Sequence, residues 1–227
     1  MTAPHDDPSN STSQPIFRAP FLALLVAASM PLLFWFQQGL PDFGMGMAFR
    51  PTDLEEGHWQ GLFTSMLLHG GWMHVLMNAF GALAFGTPIA RLFGRSFGPG
   101  LFLLFYIASG VVATLGFGMI HYTSDAPLIG ASGAVFGLIG ASTRLAGPDG
   151  MPMGRGQGVV LLLPLFHPLV VRQAMAWIGL NLIIALVGSL PGLGGGEVAW
   201  EAHLIGLVFG LVAIGPLARL YVRLARR

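Results

Sequence analysis

The chain has 227 residues, 54% of them hydrophobic and 9% charged, with a mean hydropathy of +0.70. Soluble domains carry about 25% charged residues, so this balance excludes a water-soluble globular protein and belongs in a bilayer. All eleven basic residues are arginine and the net charge is +1, which gives no footing for a nucleic-acid partner; the lack of cysteine removes disulfides, thiolate metal sites and cysteine nucleophiles.

Residues Met1 to Gln14 are polar and rich in Ser, Thr, Asp and Pro, with Asp6 and Asp7 where a secretory signal would carry positive charge. They read as a disordered tail, placed at 1–15, ahead of a single membrane domain over 16–227. A spanning helix needs about 20 mostly apolar residues, because the hydrocarbon core is about 30 Å thick and each residue rises 1.5 Å. Six segments qualify: Pro20 to Gln37, Gly71 to Ala90, Gly98 to Ile120, Ser132 to Leu145, Gln173 to Leu190 and Val198 to Arg219. The fourth is short, and its first turn is expected to face a water-filled cavity below the membrane surface. Between Ala146 and Val171 the apolar run Val159 to Phe166 is broken by Pro164 and too short to span, so it reads as interfacial.

Short cytoplasmic loops retain arginine while translocated ones do not. With the N-terminus inside, six spans put Arg18, Arg91, Arg95, Arg144, Arg155, Arg172, Arg219, Arg223, Arg226 and Arg227 on the cytoplasmic side and leave Arg50 alone outside. Both termini are therefore expected in the cytoplasm. The compact layout and the absence of a targeting peptide point to a prokaryotic inner membrane. The longest outer connection, Gln38 to Gly70, is expected partly in the interface, and the glycine-dense Pro191 to Glu197 is a candidate lid.

Ionisable and polar side chains inside spanning helices are costly and by default mark pathways or catalytic sites. His74, Asn78, Ser132 and His203 stand out. His74 and Asn78 are four apart and share one helix face. Ser132 opens a helix rich in small residues, Gly130 to Gly140, in which Gly133 and Gly137 form a G-x-x-x-G pair; the last helix carries Ala202, Gly206 and Gly210 beside His203. Such faces let two backbones approach closely, so the Ser132 hydroxyl and the His203 imidazole can meet if the two helices pack together. A serine needs a base to take its proton, and histidine is the usual one. The oxyanion formed on attack at an amide could be met by the Ser132 N–H, the Asn78 amide and the His74 imidazole.

Other protease chemistries fit less well. No H-E-x-x-H is present, because His69 and His74 are five apart with no glutamate between them. Asp42, Asp53, Asp125 and Asp149 lie in connections, which removes a carboxylate dyad. The soluble-hydrolase elbow G-x-S-x-G is missing, since position 134 is alanine.

Three motifs in order, HGGWMHVLMNAF from His69 to Phe80, G-x-S-G around Ser132 and AHLIGLVFG from Ala202 to Gly210, make the chain resemble the rhomboid family of intramembrane serine proteases from about Trp59 to Leu211. The resemblance implies an all-α six-helix bundle and a Ser132–His203 dyad without an acidic third member. It also implies an oxyanion hole of His74, Asn78 and the Ser132 backbone, and no metal or cofactor. Substrates would be membrane proteins cleaved in or near a transmembrane segment that enters sideways between helices. One departure is visible: Gln60 and Gly61 stand where many members carry Trp-Arg. By the same reading His69 is structural, Glu201 points away from His203, and His58, His121 and His167 face water. Two other classes stay open: a catalytically silent relative that binds transmembrane helices, and a small-solute transporter using His74 and His203 as a proton relay.

Overall fold

The computed structural model describes residues 20–94, 97–146, 161–188 and 198–225. Among them the long helices are α1 (Phe21–Gln37), α3 (Trp72–Leu92), α4 (Gly98–Ile120), α5 (Ser132–Ser142), α6 (Pro168–Gly188) and α7 (Trp200–Ala225), with the short α2 (Gly61–Thr64) in the first outer connection. Two-residue strands β1 (Leu145–Ala146) and β2 (Leu161–Leu162) pair antiparallel. Four helices, α3, α4, α6 and α7, are long and apolar enough to cross a membrane; α1 and α5 are shorter. The tail over 1–15, the glycine run Pro191 to Glu197 and part of the Val159 to Phe166 run lie outside the described residues.

The helix limits match the expected segments to within three residues except at two ends: α7 runs on to Ala225, six residues past Arg219, and the start of α6 lies early. The fifth long helix begins at Pro168, five residues before Gln173. Proline is pre-organised for a first helical turn, and the Leu169 amide is received by the His167 Nδ1 at 3.3 Å, so the sequence His167-Pro168 starts the helix instead of ending a loop. Leu161 and Leu162 are drawn into the strand pair with Leu145 and Ala146, and Arg144 locks this turn by donating from Nε to the Leu163 carbonyl and from Nη1 to the Leu211 carbonyl.

Helix α5 is the hub. It packs on α7, α4 and α3, while α1 lies against α3 and α6 chiefly against α7. At eleven residues it rises about 16 Å, roughly half a bilayer core, and can be central because it is made almost wholly of small and aliphatic residues. A Cβ on Gly206 would run into the Gly133 carbonyl, one on Gly210 into the Gly137 carbonyl, and one on Gly140 into the Leu207 carbonyl. The opposite approach is equally close: a Cβ on Gly133 would stand 2.6 Å from the Ala113 Cβ, and one on Gly137 would strike the Ser109 side chain. Glycine therefore lets α5 touch α7 backbone to backbone and take the small side chains of Ala113 and Ser109 of α4 directly against its own backbone. Leu138, Leu207, Phe102, Ile89 and Ile214 fill the core around it. Outward-facing Trp35, Met73, Phe80 and Met175 are exposed, as expected for helices whose solvent is lipid.

The first outer connection is folded, with 3-10 turns at Pro41–Met47, Pro51–Leu54 and Ser65–Leu67 around α2. The departure at position 61 has a steric reason: a side chain there would put its Cβ 2.9 Å from the Phe49 Cα. Phe49 in turn makes both hydrogen bonds of an antiparallel bridge with Leu128, which ties this connection to the segment leading into α5.

Candidate active site

Ser132 is the first residue of α5, and its position is set by the turn before it. Gly130 adopts φ +119, a conformation that side-chain-bearing residues rarely adopt, and its amide donates to the Ser65 carbonyl at 2.9 Å. Together with the Phe49–Leu128 bridge, this fixes where the helix starts. As an opening residue, Ser132 has a backbone N–H with no partner inside the helix.

His203 sits one turn into α7, beside Gly206, and is 9% exposed. The glycine contacts between α5 and α7 bring its Nε2 to 2.8 Å from the Ser132 Oγ. Its ring stacks on Phe136, centroids 4.3 Å apart and planes 6° apart, and Phe136 lies one turn beyond Ser132 on the same face of α5. On its other side the His203 Nδ1 stands 2.9 Å from the Asn181 Oδ1 of α6. Three helices thus hold one imidazole.

His74 lies in the first turn of α3. Its Nδ1 accepts from the Gly70 amide at 3.3 Å, so in the neutral ring the hydrogen is on Nε2. A Cβ on Gly130 would stand 2.8 Å from both the His74 Cε1 and Nε2 and 3.8 Å from the Ser132 Oγ, so the Nε2 edge faces the turn that carries the serine. Asn78, one helical turn on and 5% exposed, donates one amide hydrogen to the His74 carbonyl at 3.0 Å; the second amide hydrogen is the one available for a ligand.

Several of the other described histidines and acids have partners away from this cluster. His69 is 1% exposed, its backbone clamped at both ends by Gln37, which accepts from the His69 N–H and donates to its carbonyl, each at 2.9 Å. Its ring lies 5.1 Å from that of His74, and neither ring nitrogen has a hydrogen-bond partner among the described residues. Burial, and then the charge His74 can carry, pushes its pKa down to about 4. Glu201 is 3.2 Å from the His121 Nε2. The His121 side chain is 36% exposed, as expected for a water-facing residue, and its ring also lies over Phe117. Asp53 receives the Arg50 amide, Asp125 lies by Arg50 and Thr52, and Glu56 pairs with His58.

Sequence reasoning missed Asn181, Phe136 and Gln37. Asn181 had a signal, being the one polar residue in the apolar run from Met175 to Val187, though one without a titratable group. Phe136 and Gln37 carried none, since an aromatic in an apolar helix and a glutamine at a helix end are both ordinary.

The geometry defines a class: a helical membrane domain in which a helix-opening serine meets a buried histidine beside a polar pair on a third helix. The sequence pattern that defines the rhomboid domain matches residues 56–220, and the chain belongs to that family. It is similar to the putative rhomboid protease YdcA of Bacillus subtilis, 37% identical over 84 residues, which are 37% of this chain and 40% of the relative. It is also similar to the rhomboid protease GluP of the same organism, 27% identical over 165 residues, or 72% of this chain and 27% of the relative. RHOMBOID-like protein 5 of Arabidopsis thaliana is 32% identical over 88 residues, 39% of this chain and 27% of the relative. The matches span no more than 40% of the length of these curated relatives.

Proposed function

We propose that the protein is an intramembrane serine endopeptidase in which Ser132 is the nucleophile and His203 the general base. The observation that carries this reading is the 2.8 Å contact between the His203 Nε2 and the Ser132 Oγ. In the first step His203 takes the hydroxyl proton as Oγ attacks the scissile carbonyl. The developing oxyanion is met by the Ser132 N–H, the His74 Nε2–H and the free amide hydrogen of Asn78. Collapse expels the amine, protonated by His203, and leaves an acyl-enzyme that a water deprotonated by His203 then hydrolyses. Nucleophile, base and donors all come from the chain, and the reading calls for no metal or cofactor.

The substrates are membrane proteins cleaved in or near a transmembrane segment, and the lipid bilayer is the second partner. A serine at the start of an eleven-residue helix lies part-way into the membrane, so a substrate bond has to reach it there. A bond inside an intact helix is shielded, which makes local unwinding part of the reaction. The arginine distribution supports six spans with both termini cytoplasmic in a multi-pass protein of the inner membrane. Cleavage of a single-span reporter in proteoliposomes tests the activity. Wild type is expected to cut, and Ser132→Ala and His203→Ala to lose cleavage by at least about 10³-fold while keeping the folded helical spectrum. Full activity in either variant would remove the mechanism.

A further inference from the structure

Asn181 is fully buried in α6, and its amide has only one way to lie. The Nδ2 donates to the Trp200 carbonyl at 2.9 Å, which turns the Oδ1 toward the His203 Nδ1, also at 2.9 Å. A carbonyl oxygen can only accept. The hydrogen between them must therefore sit on Nδ1, and the lone pair of the neutral ring must sit on Nε2, facing Ser132. A ring with its hydrogen on Nε2 would present a donor to the serine hydroxyl and could not take its proton.

The residue that makes this choice stands on the least buried of the four helices long enough to span. Only 11% of the apolar window of α6 is buried, against 39% for α7. Its inner face reaches the site through two residues one turn apart. Trp177 meets Phe85 of α3 and Phe136 of α5 edge-on, at 5.2 and 6.5 Å, and Asn181 meets His203 and Trp200. The Phe136 that Trp177 touches is the ring on which His203 stacks. Any movement of α6 away from the bundle removes the acceptor from Nδ1 and the brace from behind Phe136 together.

We propose that Asn181 is the positioning residue that holds His203 in its Nδ1–H form. The inference rests on His203 acting as the base of Ser132. It gives the two-residue site a third member that is neutral and bonded to the histidine nitrogen away from the serine.

Nitrogen NMR of [¹⁵N]histidine-labelled protein in detergent reads the tautomer directly, with His203→Ala supplying the assignment, at about pH 8 where an ordinary imidazole is neutral. The expected result for wild type is a protonated Nδ1 and an unprotonated Nε2 at His203. The reverse tautomer would overturn the proposal, whatever the variants do. In Asn181→Leu the Nε2–H form is expected to gain population, and the rate of labelling by a fluorophosphonate to fall by about 10- to 1,000-fold, short of the about 10⁴-fold cost of a wholly wrong tautomer. A purely structural role would leave the ring tautomer unmoved in that variant. Wild-type labelling in Asn181→Leu, with labelling lost in His203→Ala, would overturn this inference alone; labelling retained in His203→Ala would instead remove the reading beneath it. Should Asn181→Leu fail to fold, the wild-type spectrum decides.

Discussion

Helix α7 touches its two neighbours in opposite ways. Against α5 it uses glycine on both sides, so carbonyls and α-carbons are in contact over two turns and the spacing between the helices cannot change without breaking them apart. Against α6 it uses side chains, among which Asn181 carries the described hydrogen bonds. The same histidine belongs to both interfaces. Its bond to Ser132 is built into the glycine interface and its bond to Asn181 into the side-chain one, so on the proposed reading one interface sets the separation of nucleophile and base and the other sets the orientation of the base.

The glycine interface is where substitution should do most damage. Gly210→Leu puts a side chain into the Gly137 carbonyl, and a backbone contact has no rotamer with which to give way. The expected cost is about 3 kcal/mol or more, read as loss of the folded species in detergent together with all labelling of Ser132. A stable, labelled Gly210→Leu protein would show that the two helices are not in backbone contact.

A smaller, purely kinetic effect is expected on the third wall of the site. On the proposed reading Asn78→Ala removes one oxyanion donor and should lower cleavage by about 10²- to 10³-fold, through kcat with KM little changed and without loss of stability. A rise in KM at constant kcat would instead make Asn78 a ground-state binding residue.

Next in size is an effect of pH at the edge of the bundle. His69, on the connection before α3, keeps its proton off until about pH 4 in the folded protein, whereas in the unfolded chain it binds one below about pH 6.5. Its contribution to stability is therefore full above pH 6.5 and is lost as the pH falls toward 4. The unfolding midpoint in detergent should drop between pH 7 and pH 5, and His69→Phe should flatten that drop. An unchanged slope in the variant would assign the acid sensitivity to other groups.

The least effect is expected on the α6 side. Gly179 of α6 would meet nothing within 4 Å if given a Cβ, so Gly179→Ala should fold and cleave as wild type does and gain about 0.5–1 kcal/mol from helix propensity. Set beside Gly210→Leu it measures the contrast between the interfaces: two helical glycines, one required by contact and one not.

Much of this was legible in the sequence, and the parts that were not share a reason. The small-residue stripes of Gly133, Gly137, Gly206 and Gly210 announce close helix packing, because a four-residue repeat of small side chains survives any view of the chain. His74, Asn78, Ser132 and His203 announce themselves as polar groups in apolar surroundings. The start of α6 at Pro168 was hidden because a proline after a broken apolar run signals an ending as readily as a beginning. The clamp of Gln37 on His69 joins residues 32 positions apart, and the bond from Asn181 to His203 depends on which way an amide is turned. Neither leaves a periodicity to read. The folded first outer connection, with Gly61 against Phe49, was likewise beyond reach, since what glycine there avoids is a backbone from another part of the loop.

The central claim is that Ser132 is activated by His203, and covalent labelling of the purified, detergent-solubilised protein with a fluorophosphonate tests it most directly. The account predicts one labelled serine in wild type and none in folded Ser132→Ala or His203→Ala. Absence of labelling in well-folded wild type, or labelling that survives in His203→Ala, would contradict it; the first result would point to a member of the family that binds transmembrane helices without cutting them.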